Sequence, residues 1–492
     1  MSELAERGAR RIEWARDHMP VLAAIRDELK QKKSLRGLRI GMALHVEAKT
    51  GVLALSLKEA GAQVRLASCN PLSTDDSVAA ALAEVHGLDV YAKKWQTNEE
   101  YYANLNKVLD LKPDLVIDDG ADLVFLLHTK RTDLLKGVRG GNEETTTGVI
   151  RLRAMERDGA LRFPIIDVND AQMKHFFDNR YGTGQSTIDG LMTATNLLIA
   201  GRTFVVAGYG WTGRGIAMRA RGMGARVIVT EVDPVKAIEA TMDGFEVLPM
   251  QKACRIADFI ISATGCKDIV TAAHFPGLKD QVVLGNAGHF DNEISKADLE
   301  RLAKSKRRAR EFVEEYVLAD GKRIHLVAEG RLLNIAAGQG HPVEIMDMSF
   351  AIQAVSAGYL AEHAAELKPR VYPVPEDLDL KVAWLELNSL GLKIDRLTEE
   401  QRAYLGSWRE GTSRPRIGRR SLAALQARGP DRLRRYDHSD GRGRGDLGRV
   451  RSLELVGDRG AAPGPEDRDA RVDGPTVRAR PREAGGPNPF RG

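Results

Sequence analysis

Cysteine is scarce and odd in number. Cys69, Cys254 and Cys266 are the only three in 492 residues. Scattered singly, they argue against a disulfide framework, point to a reducing compartment and offer no spacing that would hold zinc, so no metal is expected. Long apolar runs are missing too. No stretch of 18 apolar residues occurs, and Met1 to Lys30 is charged throughout and reads as amphipathic helix. Neither a membrane span nor a secretory signal is expected, and the expected location is cytoplasmic. Lysine is absent beyond Thr412. From Ser413 to Gly492 there are 19 Arg, 8 Asp and 3 Glu, a net +8 that leaves −3 on the rest of the chain. With 13 Gly and 8 Pro, that segment should not build a core. Three readings stay open: a disordered tail, an Arg/Gly nucleic-acid segment around Gly441 to Gly445, or GC-rich DNA translated out of frame. Single-strand binders interleave aromatics for stacking, and this segment does not, so no nucleic-acid partner is expected.

What is present is a dinucleotide fingerprint in mid-chain. The apolar run Thr203 to Ala207 leads into Gly208-Tyr209-Gly210-Trp211-Thr212-Gly213 and then a helical pattern from Arg214. The first glycine makes a tight turn, the second lets backbone approach a pyrophosphate, and the third permits close helix–strand packing. The run Arg226 to Thr230 ends at Glu231, an acid placed to take ribose hydroxyls. About two hundred residues precede the fingerprint, so the cofactor domain is inserted into something else.

That other part also reads as α/β. Strands are expected at Leu38 to Leu44, Gln63 to Ala67, Leu88 to Tyr91, Leu115 to Ile117 and Pro164 to Val168. Polar groups stand at their carboxyl ends: His45, Ser68-Cys69-Asn70, Asp118-Asp119-Gly120 and Asn169-Asp170. Ligands bind at that rim in open parallel sheets. Lys174 and Asp178, four apart, share one face of an expected α-helix. They read either as a solvated ion pair or as a grip on a diol, with Lys174 a base if partly desolvated. Asn334 to Pro342 is a glycine-rich crossover leading back to the first domain.

Together these motifs resemble S-adenosylhomocysteine hydrolase, from about Leu38 to Thr412. The most specific pieces are Ser68-Cys69-Asn70 with Ser73-Thr74, Asp118-Asp119-Gly120 and Glu143-Glu144-Thr145-Thr146-Thr147-Gly148. Lys174 to Asn179, Val206 to Gly210, Gly288-His289-Phe290-Asp291 and Gly340-His341-Pro342 extend the likeness. The resemblance implies two parallel-sheet Rossmann-like domains and a hydrolase that uses tightly held NAD⁺ catalytically. The family oxidises a nucleoside 3′-hydroxyl to a ketone, which acidifies the 4′ C–H. Homocysteine then leaves, water adds and the ketone is reduced again.

By that resemblance Lys174 and Asp178 hold the 2′,3′-diol, with Lys174 helping to remove the 3′-OH proton and Glu144 binding beside it. Asp119 and His45 match groups moving protons at the 4′ and 5′ carbons, and Asn179 and His289 match residues at the nicotinamide end. Glu47, Lys49, Thr50, His341 and Met346 match the remaining substrate positions. Thr145, Thr146, Thr147, Gly208, Gly210, Trp211, Thr212, Gly213, Glu231 and Lys236 match cofactor contacts. So do Thr264, Asn286, Ala287, Gly288 and Asn334, with Asn179, His289 and His341 shared between ligands. A homotetramer acting on a small nucleoside thioether is implied. A net dehydrogenase would share the fingerprint without needing Lys174, Asp178 or the Glu-Glu-Thr-Thr-Thr run, and a non-catalytic relative would have lost those residues.

The chain also departs from the family. After His45 it reads Val46-Glu47-Ala48-Lys49-Thr50, where many members have Met-Thr-x-Gln-Thr. Glutamine donates and accepts, which suits adenine; Lys49 only donates, which suits the 6-oxo group of hypoxanthine. The set resembles a short archaeal and thermophilic branch, some of whose members handle S-inosylhomocysteine. Thr398 to Gln401 keeps a family-like helix, but no cofactor-reaching Lys and Tyr follow Thr412, and Lys236 replaces a common asparagine. The expected order is a substrate-binding domain at 1–180 and a cofactor domain at 184–339. A return to the substrate domain at 341–388, a helical extension at 389–412 and the tail at 413–492 follow. Truncation at Thr412 is expected to leave thermal stability and turnover unchanged; loss of either would make the tail functional.

Overall fold

The computed structural model describes residues 1–408, so the expectations for the Arg/Gly/Pro-rich segment lie outside the described residues. Met1–Arg396 forms one compact unit, and from Leu397 the described part holds the helix Glu399–Leu405, opened by a Thr398/Gln401 capping box. No helix among the described residues is long and apolar enough to cross a membrane.

Short apolar runs become the central strands, which are buried on both faces as parallel sheets require. β1 (Arg39–Ala43), β2 (Gln63–Ala67), β3 (Asp89–Tyr91), β4 (Leu115–Asp118), β5 (Gly140–Glu143) and β6 (Ile165–Asp167) form a first sheet. The second contains β7 (Thr203–Ala207), β8 (Arg226–Thr230), β9 (Glu246–Val247), β10 (Phe259–Ser262) and β11 (Val282–Asn286). It is extended by β12 (Ala303–Arg310), β13 (Val313–Leu318) and β14 (Arg323–Val327). The chain then returns, and β15 (Val371–Pro373) pairs parallel with β6. The orders are β15-β6-β5-β4-β1-β2-β3, all parallel, and β12-β13-β14-β11-β10-β7-β8-β9, in which only β13 runs antiparallel to its neighbours. β5 is not expected from the sequence, because Gly-Gly-Asn-Glu carries no apolar side chain. It is nonetheless fully buried, and the Asn142 amide donates there to the Gln353 carbonyl and side-chain oxygens.

The charged N-terminus forms two helices, Glu3–Asp17 and Pro20–Lys32. Pro20 takes a first helical position, where its missing N–H costs nothing. The buried Asp347 carboxylate receives the free N–H groups of Val21 (2.9 Å) and Leu22 (2.7 Å). Residues 172–195 also differ from expectation. Lys174 ends a short α-helical stretch, His175–Gly182 is π-helical, and Thr183–Thr195 resumes α-helix.

Strand order reverses between β1 and β4 in the first sheet and between β7 and β10 in the second. Such switch points open crevices at the carboxyl ends of strands. His45 and Asp119 lie at one, Gly208 and Thr264 at the other. The two links between the sheets pass side by side, with Thr183 Oγ1 2.9 Å from His341 Nε2. The helix Trp211–Gly222 packs so closely on the first link that a methyl at Gly215 would run into the Arg180 carbonyl, whereas Gly222 faces open space. Overpacking of this kind costs about 1–3 kcal/mol. Gly215→Ala is therefore expected to lower the Tm by a few degrees in differential scanning fluorimetry, and Gly222→Ala to leave it unchanged.

Candidate active site

One cavity of about 1180 Å³ is lined by residues of both sheets, from His45 and Asp119 through Lys174 to Gly208 and Glu231. That exceeds the usual space for one drug-sized ligand.

At the end of β4 the Asp119 carboxylate stands between two imidazoles. Its Oδ2 lies 3.3 Å from His45 Nε2, and its Oδ1 lies 3.4 Å from His289 Nδ1, which comes from the loop after β11. His45 Nδ1 is 2.6 Å from Ser73 Oγ, and the Cys69 thiol donates to Asp119 Oδ2 at 3.4 Å. Burial pulls the His45 pKa down to about 4 against the attraction of Asp119, with His289 and His341 adding to the fall. Burial and then Asp119 push the Cys69 thiol well up. A neutral imidazole beside a carboxylate is equipped to receive a proton and pass it on. The donors of His45, Asp119 and His289 lie within 4.8 Å of one another, close enough to share a divalent cation as well.

The second cluster surrounds Lys174, whose Nζ lies 3.2 Å from Asp178 Oδ1 and 3.5 Å from Glu144 Oε1 and donates to Asn179 Oδ1 at 2.8 Å. The π-helical turn explains the third contact. An extra residue per turn brings position i+5 beneath Lys174 along with i+4, so the expected α-helical pairing with Asp178 becomes a three-residue set. Burial lowers the ammonium, yet Asp178, Glu144 and Asp119 outweigh it and hold Lys174 above its ordinary value. Burial raises Glu144 to about 8 despite Lys174, with Asp178 and Asp119 reinforcing the rise. Asp178, though buried, is held below its usual range by Lys174, His341 and Ser349. Lys174 is thus a stable ammonium here rather than the partly deprotonated base that desolvation alone would give.

Two residues of this cluster went unnoticed in the sequence. Ser349 Oγ donates to Asp178 Oδ2 (2.9 Å) and Gln353 Nε2 to Glu144 Oε2 (2.6 Å), both from the helix Val343–His363. Their one signal was polarity at i and i+4 within an otherwise apolar helix.

The residues at the second switch point fit a dinucleotide. Gly208 has φ +97°, a turn closed to other residues, and the space beside Gly210 is open. Gly210 caps the helix Trp211–Gly222 without any side-chain bond, leaving its N–H groups for an anion. Glu231 ends β8 and receives the Tyr209, Val232 and Asp233 N–H groups. The buried Asn334 Oδ1 has no hydrogen-bond partner among the described residues and is free to accept from a carboxamide, and Thr145, Thr146, Thr147, Trp211, Thr212, Lys236, Thr264, Ala287 and Gly288 line the same cavity. Glu47, Thr50, His341 and Met346 line the other part.

Three expected contacts are placed otherwise. Gly213 lies under the turn, where a methyl would meet the Gly208 carbonyl. Asn286 spends its amide on the Gly288, Phe290 and Gly330 carbonyls, shaping the His289 loop. Lys49 is buried outside the cavity wall, its Nζ 2.7 Å from Glu47 Oε2 and 3.0 Å from the Gln339 carbonyl.

Known proteins resemble the chain over this whole arrangement. The model of the S-adenosyl-L-homocysteine hydrolase NAD-binding domain matches residues 179–340, and that of S-adenosyl-L-homocysteine hydrolase itself matches 2–134. An S-inosyl-L-homocysteine hydrolase of Methanocaldococcus jannaschii is 59% identical over 409 residues, 83% of this chain and 98% of the relative. Adenosylhomocysteinases of Thermoplasma acidophilum and Archaeoglobus fulgidus are each 58% identical, over 82% of this chain and 99% and 100% of their own lengths. The chain belongs to the S-adenosyl-L-homocysteine hydrolase family and carries its NAD-binding domain.

Proposed function

We propose that the chain catalyses reversible hydrolysis of S-adenosyl-L-homocysteine to adenosine and L-homocysteine, with S-inosyl-L-homocysteine as the second reading. The observation that carries this is the pairing, in one cavity, of a buried ammonium–carboxylate cluster with a carboxylate set between two imidazoles. A net dehydrogenase needs only one proton acceptor beside its cofactor; an elimination needs a second set of proton-moving groups.

NAD⁺, which the fingerprint turn, Glu231, Thr145 to Thr147 and Asn334 would hold, would supply reversible oxidation of an alcohol to a ketone. The chain's own groups do the rest. Asp178 and Glu144 receive the ribose hydroxyls, and the 3′-OH proton passes to ionised Glu144, whose pKa lies near neutrality, while Lys174 as an ammonium donates to the oxygen that loses it. A 3′-ketone makes the 4′ C–H acidic by delocalising the carbanion. Asp119 with His45 then takes that proton and returns it to the departing homocysteine sulfur, because neutral His45 holds no acidic imidazolium proton until it has received one. Water adds in the reverse sense. Asn179 and His289 bound the oxidising end.

The assignment of 1–180 with 341–388 to substrate and 184–339 to cofactor is supported by the return of β15 to the first sheet. Two links between sheets make a hinge, whose closure would exclude water from the ketone. The family likeness supports a homotetramer. Three free cysteines and the family's small-molecule chemistry support a cytoplasmic location.

Lys174→Ala is expected to abolish enzyme-bound NADH formation from substrate, and Asp119→Asn to permit it while slowing elimination. Stopped-flow absorbance separates the two, and equal NADH formation in wild type and Lys174→Ala would contradict the roles.

The base is a matter for Lys49. Both Glu47 oxygens are already engaged, by Lys49 and by the N–H and hydroxyl of Thr50, so Glu47 is poorly placed to accept from an adenine amino group. Lys49, by exchanging its bond to the Gln339 carbonyl for one to the ligand, would favour a 6-oxo purine. A polar mismatch costs about 1–3 kcal/mol, roughly 5- to 150-fold. Lys49→Gln should shift the kcat/KM ratio towards the adenine substrate by at least about fivefold. An unchanged ratio, in a product assay run with both substrates, would mean that Lys49 does not read the base.

A further inference from the structure

The helix Val343–His363 is buried along most of its length, and burial of an amide or hydroxyl is costly unless hydrogen-bonded. Ser349 and Gln353 are nevertheless both 0% exposed. Four residues apart, they point to one side and each donates to a single oxygen of a different carboxylate. Ser349 takes Asp178 Oδ2, which leaves Oδ1 towards Lys174 (3.2 Å) and His341 Nε2 (3.9 Å). Gln353 takes Glu144 Oε2, which leaves Oε1 buried with no hydrogen-bond partner, 3.5 Å from Lys174. The orientation of Gln353 is fixed from behind. Ionised Glu144 can only accept, so Nε2 faces it, and Oε1 receives the Asn142 amide at 3.0 Å.

We propose that Ser349 and Gln353 are positioning residues of the diol site, each satisfying one oxygen of a carboxylate and committing the other to the ribose hydroxyls. This rests on the reading of Lys174, Asp178 and Glu144 as the diol-binding set. Neither residue touches the substrate; they act through Glu144 and Asp178. Gln353 has a second effect. The titratable groups facing Glu144 are Lys174, Asp178 and Asp119, with His341 beyond Asp178 and His45 and His289 flanking Asp119. Burial already raises Glu144 to about 8, and Gln353 is the side-chain donor that opposes the rise. Without it Glu144 is raised further. Ionised Glu144 is present above its pKa and lost as pH falls, so the acid limb of the reaction must move upwards.

The test uses the holoenzyme, mixed with adenosine from pH 6 to 9.5, and follows formation of enzyme-bound NADH. Gln353→Met keeps length and loses the donor. At pH 7 its rate should fall about 10- to 100-fold, the effect of losing a hydrogen bond to a charged group, and the acid limb should move up by about 1–2 units. The wild-type rate should be approached at high pH. Ser349→Ala, a smaller change that guards against misfolding of the first variant, should weaken adenosine binding about tenfold by calorimetry, and Ser349→Thr should restore it. A Gln353→Met profile parallel to wild type but lower, or Ser349→Ala with unchanged affinity, would overturn the proposal. Wild type forming no NADH from adenosine would overturn the functional reading itself, and the pair's role with it.

Discussion

An ammonium group 4% exposed inside a protein is the constraint on which this active site turns. Moving such a charge out of water costs several kcal/mol unless partners replace its hydration. Lys174 finds them in Asp178, Glu144, Asn179 and Asn169. These come from three places in the chain: the end of β5, the loop after β6 and the π-helical turn. None of those segments can shift alone without stranding a buried charge. The carboxylates bring their own cost, which the helix Val343–His363 offsets with Ser349 and Gln353. That helix is therefore part of the site, although it follows the second link between sheets.

The second cluster carries the opposite requirement. His45 must be neutral to take a proton, and burial rather than any base keeps it so. Asp119 stays beside it without turning it into a stable imidazolium. The two clusters meet through Asp119, whose field reaches Lys174 and Glu144 as well as His45. Protonation in one half thus alters the readiness of the other, a coupling suited to steps that must occur in order. His289 adds a geometric condition. It comes from the second sheet and reaches Asp119 of the first, so the proton-moving set is complete only while the two sheets approach each other as they do here.

Much of this was legible in the sequence, for physical reasons. Buried parallel strands such as Thr203 to Ala207 announce themselves as apolar runs, and the turn after β7 needs glycine at φ +97°. His45 and Asp119 were legible because they stand at strand ends directly after such runs, Lys174 and Asp178 through their spacing, and Glu144 only through the family resemblance. β5 was not. Its Gly-Gly-Asn-Glu sequence is buried by close backbone packing and side-chain hydrogen bonds, which leave no hydrophobic pattern. The π-helical turn was hidden too, since α and π windings differ by one residue per turn and share the same composition. Asn286 and Lys49 were expected to meet the cofactor and the purine, but whether such a side chain faces a ligand or its own loop is decided by tertiary contacts. Nothing local encodes it.

The same logic bears on how a family changes its substrate without changing its chemistry. Lys174, Glu144, Asp178 and Asp119 are bound into each other's electrostatics, so replacing any one leaves an uncompensated charge in a dry interior. Lys49 and Glu47 are tied differently. They pair with each other, and their other bonds go to a backbone carbonyl, backbone N–H groups and a threonine hydroxyl. A substitution there disturbs one ion pair at the edge of the cavity and reaches the reacting set only through the minor pull of the Glu47 charge on His45. The Lys49–Glu47 end is accordingly the part of this site that can vary at lower cost, and the Lys174 end is the part that cannot. That asymmetry agrees with relatives of nearly equal identity being named for two different nucleoside thioethers, one inosyl and one adenosyl.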